Sequence, residues 1–202
     1  MKKNKKIFYI LIIILIIILG IFIYKNMIKK SKNGNNMSSQ EIVDYILNVN
    51  SYKANVIIQV NSNKNKNKYI LNQEYNTENG SIQEVVEPGN IAGVKIIRKN
   101  GNLKIENTTL NLSTIFENYQ GLGENCLDLC TFIDDYKKCD KSSFEENDAE
   151  IIMKTKNDNK NKYTENKILY INKEDKLPTK LIIEDNNQNM TINIQYNKIE
   201  IN

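Results

Sequence analysis

Three cysteines are the residues of this 202-residue chain best suited to special chemistry. Cys126 and Cys130 are four positions apart, so on a helix both thiols share one face, close enough to bind one soft metal ion but poorly oriented for a disulfide within that helix. Cys139 could instead form a disulfide with either of them, which would leave one thiol over. Since the chain has no histidine, three thiols make an incomplete tetrahedral zinc set, and free thiols buried in a core helix are the simpler interpretation. We therefore predict no metal ion and no cofactor.

The absence of histidine also removes the commonest catalytic sites. Neither a Ser-His-Asp triad nor a Cys-His dyad can form without an imidazole. Adjacent carboxylates occur at Asp134-Asp135, Glu145-Glu146 and Glu184-Asp185, but neighbouring side chains on a strand or helix point apart. The sequence therefore favours a binding protein over an enzyme.

The first 30 residues differ from the rest in charge and hydropathy. They hold seven Lys and no acidic residue, so the net charge of +4 divides into +7 for this segment and −3 for the remainder. From Ile7 to Tyr24 the chain is uncharged and mostly aliphatic, and these eighteen residues would span roughly 27 Å as a helix, close to the ~30 Å hydrocarbon core of a bilayer. No small-residue cleavage motif follows Tyr24, which favours a retained anchor over a cleaved signal peptide.

These features predict three parts of the chain. Residues 1–30 form a membrane anchor, residues 31–37 a polar linker, and residues 38–202 an extracytoplasmic domain. Four Lys among the first six residues favour a cytoplasmic position for the N-terminal tail. The domain is acidic overall and its Lys-Asn stretches lack interleaved aromatic residues, so we expect no nucleic-acid partner.

Periodicity in the first half of the domain predicts one helix and then antiparallel strands. The sequence S-S-Q-E from Ser38 is a capping-box pattern ahead of an amphipathic helix. Strict alternation from Tyr52 to Val60 indicates a half-buried strand. Asn79-Gly80 and Asn100-Gly101 are hairpin signals, which gives a meander of about five strands.

The middle of the domain predicts two helices. One is a short candidate from Leu110 to Tyr119. The other is an amphipathic stripe from Leu122 to Tyr136, with Asp128, Asp134, Asp135 and Lys137 on its solvent side.

About four strands follow the polar stretch from Lys138 to Asp148, and in the last of them the apolar residues change parity near Asn197-Lys198, which predicts a bulge or bend. One long sheet of this size tends to curl, and the middle helices can cover its concave face. The predicted fold class is α+β: a curved antiparallel sheet, or incomplete β-barrel, covered by helices and preceded by one N-terminal transmembrane helix.

The predicted architecture resembles the LolA/LolB superfamily of lipoprotein carriers. The residues that carry the resemblance are the opening SSQEIVDYILNVNSYKANVIIQV and the closing KILYINKEDKLPTKLIIEDNNQNMTINIQYNKIEIN. Within that group the chain is most similar to the GerS-like germination (lipo)proteins of spore-forming clostridia, which the segments IIRKNGNLKIENTTLNLSTIFENY and CLDLCTFIDDY also fit. It lacks the lipid-carrying Cys of a lipoprotein, so a transmembrane helix would replace the acyl anchor.

This resemblance implies a non-catalytic protein located between the forespore membranes. GerS-like proteins bind a CwlD-like cell-wall amidase, an N-acetylmuramoyl-L-alanine amidase, and enable it to modify the spore cortex peptidoglycan before germination. The alternative is a LolA-like carrier or sensor that holds the acyl chains of a lipid or lipoprotein in the concave sheet. A retained anchor argues against shuttling.

Overall fold

The computed structural model describes residues 37–62, 64–119, 127–157 and 164–202. The predicted anchor from Ile7 to Tyr24 and the linker up to residue 36 lie outside these residues. Within them, no helix combines the length and the apolar character that crossing a membrane requires. Residues Ser39–Asn202 form one compact unit, which contains the whole described sheet and its hydrophobic core.

A single antiparallel sheet of eleven strands makes up most of the described chain. Its strands in chain order are β1 (Ser51–Asn61), β2 (Lys66–Asn76), β3 (Gly80–Glu87), β4 (Val94–Lys99), β5 (Asn102–Asn107), β6 (Leu112–Phe116), β7 (Ser143–Glu146), β8 (Glu150–Lys156), β9 (Asn166–Asn172), β10 (Pro178–Glu184) and β11 (Met190–Ile201). In space the order is β6-β5-β4-β3-β2-β1-β11-β10-β9-β8-β7. The two halves of the chain therefore meet at β1 and β11, and β6 and β7 are the edges of an open sheet.

Two helices lie on one face of this sheet, which we call the inner face. It is the face of β1 that carries the buried residues Tyr52, Ala54, Val56 and Ile58. Helix α1 (Ser39–Leu47) buries Ile42, Val43 and Ile46, and helix α2 (Leu129–Lys138) buries Leu129, Phe132 and Ile133. The helices contact each other and β8. Apolar burial by both helices on one face explains why the buried positions of the strands alternate.

The register of the strand pairs shows which residues lie on the inner face from β1 to the edge strand β6. Directly opposed residues of an antiparallel pair share a face. Tyr52 opposes Tyr75, and the row continues through four more strands to the edge, by way of Ser81, Arg98, Leu103 and Phe116. Arg98 is therefore on the inner face.

The predicted helix from Leu110 to Tyr119 is wrong. Leu112–Phe116 forms strand β6, which pairs with β5. Asn107 Oδ1 accepts a hydrogen bond from the Leu110 N–H at 3.1 Å, and Asn111 has φ of 51°, so a tight turn ends the β5 strand where the helix was expected to begin. The first half of the domain thus has six strands. Strand β7 adds a further strand inside the stretch that the sequence analysis assigned to a polar connection.

The helix predicted from Leu122 to Tyr136 begins only at Leu129. Asp128 is its N-cap, and Leu127 and Asp128 lie in a turn, while residues 120–126 lie outside the described residues. The predicted solvent side is wrong for Asp128 and Asp135, which are only 1% and 2% exposed. Asp134 and Lys137 are exposed as predicted.

The bulge predicted near Asn197-Lys198 is confirmed. Asn55 opposes Lys198 but Val56 opposes Tyr196, so Asn197 is the extra residue in β11. The bulge keeps Ile194, Tyr196 and Ile199 buried on one face. The hairpin predicted at Asn100-Gly101 is also confirmed, with positive φ at both residues (53° and 76°).

Candidate functional site

The N-terminus of α2 holds a group of polar side chains, which we call the Asp128 cluster: the buried Asp128, Thr131 and Gln83 and the half-buried Arg98. Asp128 caps the helix, since its Oδ1 accepts a hydrogen bond from the Thr131 N–H at 3.0 Å and another from the Thr131 hydroxyl. Gln83 Nε2 of β3 donates to Asp128 Oδ2 at 3.0 Å, and the Arg98 guanidinium of β4 forms an ion pair with the same oxygen. The cluster therefore connects the beginning of α2 to two strands of the inner face.

Two further hydrogen bonds join this helix end to the sheet. Gln73 Nε2 of β2 donates to the Leu127 carbonyl at 2.6 Å, and the Tyr52 hydroxyl of β1 accepts from the Leu129 N–H at 3.2 Å. Burial, with Asp128 as the second cause, raises the pKa of Tyr52 well above its ordinary value, so this phenol is neutral. Strands β1 to β4 thus all contribute polar contacts to the start of α2.

A second polar contact fixes the other end of α2. Lys167 of β9, which is 0% exposed, forms an ion pair with Asp135 Oδ2. Thr155 Oγ1 of β8 donates to the Asp135 carbonyl oxygen at 3.3 Å. The helix is therefore held at both ends, by opposite halves of the sheet, with Leu129, Phe132 and Ile133 buried between these contacts.

The oxygens of Asp128 are occupied by donors, which limits what this carboxylate can do. Besides the contacts already described, the Cys130 thiol lies 3.1 Å from Asp128 Oδ1 as a donor. A general base needs a lone pair directed at a reacting proton. The geometry fits a structural carboxylate that holds α2 in place.

Two of the three cysteines lie within the described residues. Cys126 lies outside them, and Cys130 and Cys139 are free thiols near opposite ends of α2. Burial, followed by the charge of Asp128, raises the pKa of the Cys130 thiol above its ordinary value. A hydrogen bond from the Lys156 backbone is the main reason that the pKa of Cys139 is lowered, with further contributions from Lys141, Thr155 and Ser142.

These opposite shifts predict different reactivities for the two thiols. In the folded protein we expect iodoacetamide at neutral pH to alkylate Cys139 much faster than Cys130. Both residues are half-buried, but only Cys139 has a lowered pKa, which leaves a larger thiolate fraction at neutral pH than an ordinary thiol has. Peptide mass spectrometry over a time course would measure both rates. Equal rates in the folded protein would contradict the prediction, and denaturation in urea is the control that should equalise them.

The adjacent carboxylates have separate partners or exposures, as predicted from the sequence. Asp134 is exposed, whereas Asp135 is buried against Lys167. Glu145 and Glu146 form separate ion pairs with Lys154 at 2.7 Å and Lys173 at 2.5 Å. Asp185 Oδ1 accepts hydrogen bonds from the N–H groups of Asn187 and Asn189 in the turn after β10. Among the described residues, no group of three His, Cys, Asp or Glu side chains could hold a metal ion.

The described part of the domain has surface cavities at the start of α2 and at the hairpin tips, and both have polar as well as apolar groups in their walls. One, of about 280 Å³, lies beside the start of α2 and includes Arg98, Cys130 and Asp134. The other, of about 900 Å³, lies at the hairpin tips and is lined mainly by Asn, Ser and Thr, with Asp185 and Lys64.

Sequence reasoning missed the polar residues of the inner face, although a signal was present. Gln73 and Gln83 lie at the same strand parity as the apolar residues Leu71 and Val85, and all four are buried. Lys167 likewise shares its parity with Leu169 and Ile171. A polar residue at an inward parity predicts a buried partner.

Two solved structures match the fold of this chain with a TM-score of at least 0.50, and a third matches with a lower score. A conserved uncharacterized protein from Thermus thermophilus is 12% identical, with a TM-score of 0.52 over 82% of this chain and 88% of that chain. The structure of the CwlD amidase from Clostridioides difficile in complex with the GerS lipoprotein matches at 19% identity and a TM-score of 0.50, over 83% of this chain and 98% of that chain. A LolA superfamily protein from Nitrosomonas europaea matches at 13% identity and a TM-score of 0.42, over 82% of this chain and 94% of that chain.

The predicted resemblance to GerS-like proteins is confirmed at the level of the fold. No curated protein matches the chain by sequence. The family model of the YdcC-like sporulation proteins, however, matches residues 5–202, which is nearly the whole sequence. The chain therefore belongs to the YdcC-like sporulation protein family.

Proposed function

We propose that this chain is a non-catalytic, membrane-anchored protein of the spore envelope that binds and regulates a cell-wall amidase. The amidase would be a CwlD-like N-acetylmuramoyl-L-alanine amidase acting on the cortex, and its regulation would be required for germination. In this proposal residues 1–30 hold the domain at a forespore membrane, on the extracytoplasmic side.

The observation that carries the proposal is the likeness to the amidase–GerS complex, in which 98% of the matched chain is covered at a TM-score of 0.50. Membership of a sporulation protein family supports a role in spore formation for this chain. At 19% identity this likeness shows the fold alone. An amidase partner for this chain is therefore our proposal.

The packing of the inner face supports a protein-binding scaffold rather than a lipid carrier. A carrier of acyl chains needs an open apolar cavity. Here α2 packs on the inner face with Leu129 and Phe132, which are fully buried, and with Ile133, which is nearly so. The ion pair at Lys167 and the Asp128 cluster hold the helix in this position.

Co-purification with the amidase tests the proposal. Residues 37–202 would be mixed with the CwlD-like amidase of the same organism, and size-exclusion chromatography with light scattering would measure the mass of the complex. We expect co-elution, together with faster release of stem peptides from purified peptidoglycan than with the amidase alone. An unrelated domain of net charge −4, the charge of residues 37–202, is the control for non-specific attraction. Separate elution with unchanged amidase activity would contradict the proposal, as would recovery of bound lipid without any protein partner.

Membrane anchoring has its own test. The full chain and a chain that begins at residue 37 would be produced in a sporulating host and separated into membrane and soluble fractions. We expect the full chain to stay with membranes through a carbonate wash, because the run from Ile7 to Tyr24 is long enough to span the core, and the shorter chain to be released. Release of both would contradict the anchor without affecting the amidase proposal.

A further inference from the structure

The cavity of about 900 Å³ at the hairpin tips, which we call the tip cavity, lies between two neighbouring hairpins. Its walls come from the tips of the β1–β2 and β10–β11 hairpins, with Thr164 from the segment before β9. The two hairpins lie side by side because β1 and β11 are paired. The volume falls within the roughly 300–1,000 Å³ that is usual for small-molecule sites. The tip cavity is therefore large enough to hold a small organic ligand.

Side-chain amides make up much of the walls. Five asparagines line the tip cavity, together with one serine and two threonines. Three of these asparagines, Asn65, Asn186 and Asn187, are exposed, and their side-chain amides form no hydrogen bond with the described residues. Each such amide can donate through its N–H groups and accept through its carbonyl oxygen. The walls thus offer donors and acceptors together, which suits a ligand rich in hydroxyl and amide groups.

Charged groups contribute little to the binding capacity of the tip cavity. Asp185 Oδ1 accepts from the N–H groups of Asn187 at 2.9 Å and Asn189 at 2.8 Å, and its Oδ2 accepts from Asn189 Nδ2 at 3.0 Å. This carboxylate is therefore already used to hold the β10–β11 turn. Among the described residues that line the cavity, Lys64 is the one cation. A phosphate group needs more positive charge than this, and a divalent cation needs more free carboxylates.

The apolar part of the cavity is a pair of aliphatic side chains. Val60 of β1 and Ile192 of β11 oppose each other directly, and both are half-buried. They lie below the polar tips of the two hairpins and belong to the inner face of the sheet. A pyranose ring has the complementary form, because its C–H groups make an apolar face and its substituents make a polar rim. A sugar ring can therefore pack on the two aliphatic side chains while its rim meets the amides.

We propose that the tip cavity binds an N-acetylated glycan, the sugar strand of peptidoglycan. Each acetamido group of such a strand donates one hydrogen bond and accepts others, as the free asparagine amides do. The choice of peptidoglycan as the source of the glycan rests on the proposed function, in which the amidase acts on the same polymer. A domain bound to the glycan would hold its amidase partner next to the substrate.

Titration with two oligosaccharides, followed by NMR of isotope-labelled residues 37–202, tests the proposal. On addition of chitotetraose, the β-1,4-linked tetramer of N-acetylglucosamine, we expect saturable shifts of the backbone amide signals at the β1–β2 and β10–β11 tips. Cellotetraose is the matched ligand control, since it has the same linkage without acetamido groups. Its dissociation constant should be about tenfold higher or more, because the wall amides then lose their acetamido partners.

A double variant identifies the residues responsible. Asn186→Ala together with Asn187→Ala removes two free amides and keeps the backbone N–H that Asp185 accepts. We expect it to raise the dissociation constant for chitotetraose roughly tenfold or more. Asn90→Ala is the matched control, because Asn90 is an exposed asparagine in the turn after β3, outside the tip cavity, and its loss should leave binding unchanged. Circular dichroism would verify that both variants are folded.

Three results would overturn the glycan site: no shifts at the two tips with chitotetraose, equal binding of cellotetraose, or unchanged binding by the double variant. Co-elution with the amidase is measured separately. We expect the double variant still to co-elute, because the glycan site is distinct from the protein partner. Failure of glycan binding with intact co-elution would therefore reject this site alone, whereas glycan binding without co-elution would reject the proposed amidase partner and leave the site in place.

Discussion

Replacing Lys167 with methionine is expected to lower the free energy of unfolding of the domain by about 3–5 kcal/mol. The Lys167 ammonium pairs with Asp135 Oδ2, and the two side chains are 0% and 3% exposed. Removing the lysine leaves a buried carboxylate without its counter-charge. The free-energy cost of that unpaired charge is far larger than the net stabilisation that the intact ion pair provides. Urea unfolding of residues 37–202, followed by circular dichroism, would measure the loss.

A double variant separates the ion pair from the packing around it. Asp135→Leu together with Lys167→Met removes both charges, and we expect its stability to lie much closer to the native value than that of either single variant. Lys154→Met is the surface control: its pair with Glu145 is 44% and 59% exposed, and its loss should cost less than about 1 kcal/mol. A Lys167→Met variant as stable as the Lys154→Met control would contradict the buried pair.

The strands were predictable where one face is buried and the other is not. β1 alternates strictly, and the change of parity in β11 located its bulge at Asn197. The β6 segment was predicted as a helix because Ile115 and Phe116 lie three and four positions after Leu112, and this spacing also suits one face of a helix. What decides between the two structures is the turn at Asn111 and the pairing with β5, and pairing with a neighbouring strand is not encoded in the local period.

The site was less accessible to sequence reasoning because its contacts join distant parts of the chain. Asp128 falls outside the apolar stripe of Cys126, Leu129 and Ile133, so it looks like a solvent position of a longer helix, yet it is the cap that begins the helix. Its partner Arg98 lies thirty residues earlier, on another strand. Hydrophobic period identifies which face of an element is buried, but it does not identify which polar side chains meet there.

Replacing Asp128 with alanine is expected to destabilise the domain by about 2–4 kcal/mol, because one carboxylate serves two purposes. Losing the N-cap of α2 costs about 1 kcal/mol, and leaving the buried Gln83 amide and the part-buried Arg98 guanidinium without their acceptor adds about 1–3 kcal/mol. Urea unfolding would again give the free energy. Asp134→Ala is the matched control, since Asp134 is an exposed aspartate on the same helix and its loss should change stability by less than about 0.5 kcal/mol.

Asp128→Asn distinguishes the two purposes of this side chain. An asparagine oxygen can still cap the helix, because Asn and Asp are about equal at this position. It carries no charge for Arg98, so we expect the asparagine variant to recover the capping part of the loss and to retain the part due to the unpaired guanidinium. In an Arg98→Met background that second part should vanish, and Asp128→Asn should then cost little. If Asp128→Asn and Asp128→Ala were equally destabilising in both backgrounds, the cap would contribute nothing, and the contacts from β3 and β4 alone would hold the start of α2.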